Sequence, residues 1–177
     1  MIGIPIGMGS GVFLSEYGRG RFASVLRLSS DLLNGTPSIV VGIFVYSLVV
    51  IPLKSFSAIA GSIALAIIII PVIMKTTEEV LRLVPKDIRD AGLALGLPRW
   101  KVIVFVVLRG AKTGLLTGII LGLARASGET APLLFTAFGY LYVSYDPLGP
   151  MASLPVQIYN YAISPYKEWH KLSLIHI

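Results

Sequence analysis

Ala58 to Met74 is a run of 17 residues with no charged side chain, and it is dense in isoleucine. A crossing of the hydrocarbon core of a membrane takes about 20 mostly apolar residues, so this run with its flanks is long enough to span. Within such a span every backbone N–H and C=O must be satisfied internally, which leaves a helix or a closed barrel. The rest of the chain keeps to the same solvent. Of 177 residues, 55% are hydrophobic and only 14% charged, against roughly 25% charged in soluble domains. The expected fold class is therefore all-α, a polytopic helical membrane protein.

Two further spans are expected. Ser38 to Ile51 is apolar and follows Asn34-Gly35, a helix C-cap signal, and Pro37, which suits the first turn of a new helix. A third span begins near Gly110, and the apolar region from Thr113 to Val143 exceeds one straight crossing, so Pro132 or the Gly139 region must end or bend it. Met1 to Leu14 is apolar but too short to cross and reads as the second half of a truncated N-terminal span. The expected count is three complete transmembrane helices plus that truncated one, in a chain expected to be a piece of a longer protein. Residues 1–171 form one partial transmembrane domain, and 172–177, LSLIHI, are expected to be a non-native tail.

Between the spans lie three softer features. Phe22, Val25, Leu26, Leu32 and Leu33 share one helical face and Arg21, Ser24, Arg27, Asp31 and Asn34 the other, the pattern of a helix lying at the membrane surface in contact with lipid. Thr76-Thr-Glu-Glu79 has the capping-box pattern and predicts the start of a new polar helix, in which Glu78 and Arg82 stand at the favourable i, i+4 spacing. Asp146 to Lys171 is a Pro- and Tyr-rich polar segment with no span of its own.

Cation placement sets the expected topology. The net charge is +6, and eight of the fifteen Lys and Arg lie between Lys75 and Lys112, whereas none lies between Ala126 and Tyr166. The positive-inside bias puts the Lys75–Lys112 loop in the cytoplasm and the Tyr-rich segment outside. That loop is unusual. Pro85 starts a helix and Gly96 stops it. Ile88, Ala91 and Leu95 form a narrow apolar stripe, and Pro98 restarts a second helix at once. The stripe either inserts into a cleft on a soluble partner or rests on lipid and the chain's own spans.

The loop resembles the EAA loop of ABC-importer permeases, whose pattern runs Glu-Ala-Ala, three residues, Gly, nine residues, then Ile-x-Leu-Pro. Here Asp90-Ala91-Gly92 is followed after three residues by Gly96, and after nine more by Val106-Val107-Leu108-Arg109. The spacing is kept, with Asp for Glu, Gly92 for the second Ala and Arg109 for the final Pro. SEYGRGRF from Ser15, NGTPSIVVGIF from Asn34, LARASGETAPLLFTAFG from Leu123 and SLPVQIYNYA from Ser153 are similar to one subgroup, the phosphate importer permeases. The resemblance covers nearly all of residues 1–171. It implies a six-span subunit of a bacterial or archaeal inner membrane, of which the first span, part of the second and the sixth are outside this sequence. It also implies a heteromeric complex. A second permease subunit pairs with this one, ABC ATPase subunits dock on the cytoplasmic loops, and an extracytoplasmic binding protein delivers phosphate. Ile88, Asp90, Ala91, Gly92, Leu95 and Gly96 would then form the ATPase-coupling helix.

Two features of the third span carry candidate roles. Gly110, Gly114, Gly118 and Gly122 are four apart, and Ala126 continues the series, a small-residue ridge that admits close helix packing. Arg125 and Glu129 stand at i and i+4, and charges in a span face the bundle interior or an aqueous path. They read either as a structural ion pair or as part of the route of an anion.

The absences are also informative. There is no Cys, and the two His, His170 and His176, sit at the C-terminal end, so a thiolate or buried His metal centre is not expected. Lys112-Thr113 is not a phosphate-binding loop, because the Gly positions before Lys are Ala111 and Val106. The chain is thus expected to be no enzyme, to need no cofactor and to leave ATP hydrolysis to a partner. Topology explains its cations better than nucleic acid does. Two other readings share these features: a permease for another oxyanion, such as sulfate or molybdate, and a non-transporting membrane scaffold.

Overall fold

The computed structural model describes residues 2–140, 144 and 146–174. Among the described residues there are ten helices and no strand. They are α1 (Gly3–Glu16), α2 (Arg21–Gly35), α3 (Ser38–Leu53), α4 (Ala58–Arg82), α5 (Lys86–Ala94), α6 (Arg99–Gly110), α7 (Lys112–Gly128), α8 (Ala131–Thr136), α9 (Leu154–Ala162) and α10 (Lys167–Leu174). α3 contains a π-helical stretch at Tyr46–Val50, and α6 another at Val102–Val107.

Among the described residues, only α4 is long and apolar enough to cross a membrane by itself. Its 25 residues reach about 38 Å at about 1.5 Å each. Two other stretches qualify only as helix pairs taken together, α2 with α3 and α6 with α7; the second pair bends by 74° at Ala111. The expected three complete spans thus reduce to one unbroken span and two broken candidates.

Several local expectations are corrected. Thr76 caps no new helix: α4 runs unbroken from Ala58 to Arg82, and the Thr76 hydroxyl donates to the Val72 carbonyl at 2.9 Å, one turn back in the same helix. Asn34 and Gly35 lie inside α2 rather than beyond its end, and Pro37 sits one residue before α3. The long apolar region after Thr113 breaks at Glu129 and Thr130, ahead of Pro132, which occupies the first turn of α8 instead. There its missing N–H leaves no bond unmade. The Val143 end of that region and residues 175–177 of the tail fall outside the described residues, whereas Leu172–Leu174 continue α10.

The chain divides into two compact units. The first is Met1–Gly35 with Ile69–Ala124. Its core joins Leu81, Val102, Val107, Ala111 and Leu115, with a second cluster of Leu14, Ala23 and Met74. In it α2 keeps its amphipathic division. Its polar side packs on α4, with Ser30 buried and Arg27 bonded to Glu78 at 2.9 Å, while Phe22, Val25, Leu28 and Leu32 are exposed. An outward apolar side is what a lipid environment favours, since burying it against protein would gain nothing over hydrocarbon.

The second unit is Thr36–Ile68 with Arg125–Ile177. Val45, Val50, Ala60 and Ala64 form one of its cores; Leu133, Ala137 and Val156 form the other. Its irregular segments are sewn to helices by backbone bonds: Ser57 N–H to Thr136 O at 3.1 Å, Ala58 N–H to Gly149 O at 2.9 Å, and Met151 N–H to Ala137 O at 3.3 Å. Phe138 holds a left-handed backbone at φ 50°, and its ring stacks on Phe56 at 5.0 Å.

Candidate functional site

The loop after α4 is built from backbone chemistry. Pro85 takes an extended conformation immediately before α5, and Pro98 does the same before α6. Neither proline needs an N–H at that position. Between them, Gly96 turns at φ +78°. A side chain there would strain the backbone by about 1 kcal/mol or more. Gly96 N–H donates to Leu93 O at 2.9 Å and Leu97 N–H to Gly92 O at 3.4 Å, closing the end of α5.

At about 100° per residue, α5 has two opposed faces. Ile88, Ala91 and Leu95 share one; all three are exposed, Leu95 at 82%. Leu83, just before the helix, is also exposed. Lys86, Arg89, Asp90 and Leu93 share the other, which lines a cavity of about 380 Å³. Asp90 therefore lies away from the stripe rather than on it. Gly92 is buried against α6, where a Cβ would stand 3.1 and 3.2 Å from the Val102 methyls. Its loss of helix propensity is thus exchanged for a close approach to α6.

Sequence reasoning missed the residue that holds α5 in place. The Arg89 guanidinium donates to Glu16 Oε1 at 2.8 and 3.3 Å, to Leu81 O at 2.7 Å, and to Val84 O. The Arg89 side chain is 18% exposed and that of Glu16 6%. Arg99 reaches the same point, donating to the Glu16 carbonyl at 2.8 Å, with its guanidinium 4.9 Å from the Tyr17 ring centre. Glu16 is 73 residues from Arg89, and no local pattern marks the pairing.

A second charged cluster joins α2 to α4. Glu78 accepts from Arg27 at 2.9 Å and from Arg82 at 2.5 Å, so the expected i, i+4 pair is one side of a three-residue group. Arg27 also donates to the carbonyls of Leu14 and Gly18. Nearby, Lys75 donates to Asp31 at 3.0 Å.

The glycine series of α7 divides. A Cβ on Gly114 would meet Val80 at 2.6 Å, one on Gly118 would meet Thr76 at 2.8 Å, and one on Gly122 would meet Ile73 at 2.8 Å, all on α4. Gly110 faces open space and belongs to α6, beyond the bend. α1 supplies glycines the sequence did not flag. Gly7 and Gly11 lie against Ile73, Met74 and Thr77, so α4 is approached closely by two glycine-bearing helices.

Arg125 is in the last turn of α7 and Glu129 lies just past its end. Their ion pair is long, 3.9 Å, with side chains 38% and 16% exposed. Among the described residues no group of His, Asp and Glu could hold a metal ion. His170 is engaged with the Ser164 carbonyl at 2.5 Å, and His176 falls outside the described residues.

The sequence pattern of the family described as binding-protein-dependent transport system inner membrane component matches residues 3–163. A phosphate transport system permease protein PstA of Pasteurella multocida is 48% identical over 174 residues, 98% of this chain and 62% of its own length. Its namesake in Haemophilus influenzae is 49% identical with the same coverage. A probable phosphate transport system permease protein PstA of the archaeon Methanocaldococcus jannaschii is 40% identical over 175 residues. The chain thus spans about three-fifths of the length of these relatives.

Proposed function

This chain belongs to the family of binding-protein-dependent transport system inner membrane components, and we propose that it is the membrane-spanning part of a permease subunit that imports inorganic phosphate, driven by ATP hydrolysis in a separate subunit. The substrate assignment is supported by the names of relatives with nearly half their residues identical over 98% of the chain. α2–α3, α4 and α6–α7 provide three crossings, and the Lys75–Lys112 loop lies in the cytoplasm. A second permease subunit completes the pathway, and an extracytoplasmic binding protein loads it.

The observation that carries the coupling role is the contrast between the two faces of α5. Ile88, Ala91 and Leu95 are presented outward, while Arg89 on the opposite face is tied to Glu16 and to two carbonyls. A bare stripe on a firmly anchored helix can receive a push and pass it on. It transmits work only if the ATPase fits the stripe differently in its open and closed states. Asp90, Gly92 and Gly96 serve this arrangement indirectly, Gly92 through its approach to α6 and Gly96 through its turn. The Gly114–Gly118–Gly122 ridge then carries the movement to α4. Arg125 and Glu129 stand where α7 breaks, and their long, partly exposed pair favours a place on the anion's route over a structural lock.

The test is Leu95→Asp in the assembled transporter. Leu95 has little to lose in stability, because surface substitutions stay within about 0.5 kcal/mol. ATP hydrolysis is expected to continue while phosphate uptake falls at least about tenfold, the effect of about 1.4 kcal/mol at the docking contact. Normal uptake by this variant and by Gly96→Val would remove α5 from the coupling role.

A further inference from the structure

The cavity behind α5 is used by neither the docking stripe nor the glycine ridge. Five cations line it, Arg19, Arg82, Lys86, Arg89 and Arg99, against two acids, Glu16 and Asp90. Glu16 is hidden beneath Arg89. Arg82 is turned to Glu78. Arg99 donates to the Glu16 carbonyl. Arg19 and Lys86 are exposed, and among the described residues neither is held by an ion pair, so the lining stays positive with the exposed Asp90 set against them. Val84, Leu93, Val102 and Ile103 supply an apolar wall. A basic pocket with an apolar side, next to membrane-spanning helices, is suited to the head of an anionic lipid. Immediately beyond Arg19 in the chain, Phe22 and Val25 on α2 are exposed and apolar, as a lipid-facing surface requires.

We propose that this cavity binds the phosphate group of an anionic membrane lipid, with Arg19 and Lys86 as its principal contacts and the glycerol end against Leu93. The volume of about 380 Å³ is ample for a headgroup and lies within the range of small-molecule sites, about 300–1,000 Å³. The lipid would sit against the face of α5 opposite the docking stripe and back the helix where a partner presses on it. The site extends the transport reading above but needs it only to decide which leaflet supplies the lipid.

Native mass spectrometry of the full chain, titrated in detergent with phosphatidylglycerol or phosphatidylcholine, tests the site without reference to transport. Phosphatidylglycerol is expected to be retained in preference to phosphatidylcholine. Arg19→Gln with Lys86→Gln should weaken that retention roughly thirtyfold, as the loss of two surface cations implies. Both side chains are exposed, so the variant should fold, and an unchanged melting temperature checks this. Lys167→Gln, which removes a cation far along the chain from the cavity residues, should leave retention unchanged. Equal binding of the two lipids, no effect of the double variant, or an equal loss with Lys167→Gln would each overturn the site. Displacement of phosphatidylglycerol by inorganic phosphate would make the free anion the ligand and overturn the lipid assignment.

Discussion

Each of the two units holds its own elements together by different means. In the first, elements distant in sequence are joined by side chains: Arg89 to Glu16, Arg27 to Glu78, and glycines on α1 and α7 pressed against α4. In the second, backbone bonds add to the apolar cores, with the Ser57, Ala58 and Met151 N–H groups donating to the carbonyls of Thr136, Gly149 and Ala137. The charge pairs differ as well. Arg89–Glu16 is short and covered, with three carboxylate and carbonyl acceptors around one guanidinium, whereas Arg125–Glu129 is long and open. The lesson is about roles. Side-chain joins fix the orientation of a surface element such as α5 against the bundle. Backbone joins satisfy chain that has left helical geometry, which a low-dielectric surrounding requires.

The sharpest way to break that comparison is to remove one guanidinium from each unit. Arg89→Ala should destabilise the protein by about 3–5 kcal/mol, because it strands the Glu16 carboxylate in a covered position. Arg125→Ala should change stability by less than about 1 kcal/mol, because the pair is long and the Arg125 side chain is 38% exposed. Thermal unfolding in detergent compares the two, and equal losses would erase the distinction.

Crowding gives a smaller contrast. Gly42→Ala in the second unit would put a Cβ 2.7 Å from the Cα of Pro132, a backbone atom that cannot turn aside. The expected loss is about 2–3 kcal/mol. Gly118→Ala in the first meets side-chain atoms alone, the Thr76 methyl at 2.8 Å and its Cβ at 3.1 Å, and rotation of the methyl with a small shift of the Cβ should hold the loss to about 1–2 kcal/mol. The same melting experiment ranks them, and the reverse order would mean that α4 is the stiffer partner. The smallest effect is a gain: Gly110→Ala has nothing within 4 Å and should stabilise α6 by about 0.5 kcal/mol. A loss there would restore Gly110 to the packing ridge.

Much of the loop was legible beforehand. Pro85, Gly96 and Pro98 act through their own backbone restrictions, which no distant contact is needed to reveal. The stripe of Ile88, Ala91 and Leu95 follows from helical periodicity alone. The misreading at Thr76 has a tertiary cause. Thr76 has the chemistry of a cap, yet the side chains around α4 favour an unbroken helix, and tertiary packing outweighs about 1 kcal/mol of capping energy. α2 has the expected amphipathic pattern, and what the sequence did not show is that its polar side is paired with α4, Arg27 with Glu78 and Asp31 with Lys75.

The sequence by itself determined the solvent, the helical class and the stops and starts of the loop, since apolar content, periodicity and the limits of Gly and Pro act within a few residues. Only the tertiary structure decided which glycines pack, which way α2 faces, and that Arg89 is pinned to Glu16. Those outcomes depend on which surfaces meet after the chain has folded back over tens of residues, and complementarity of that kind is not written in any local pattern.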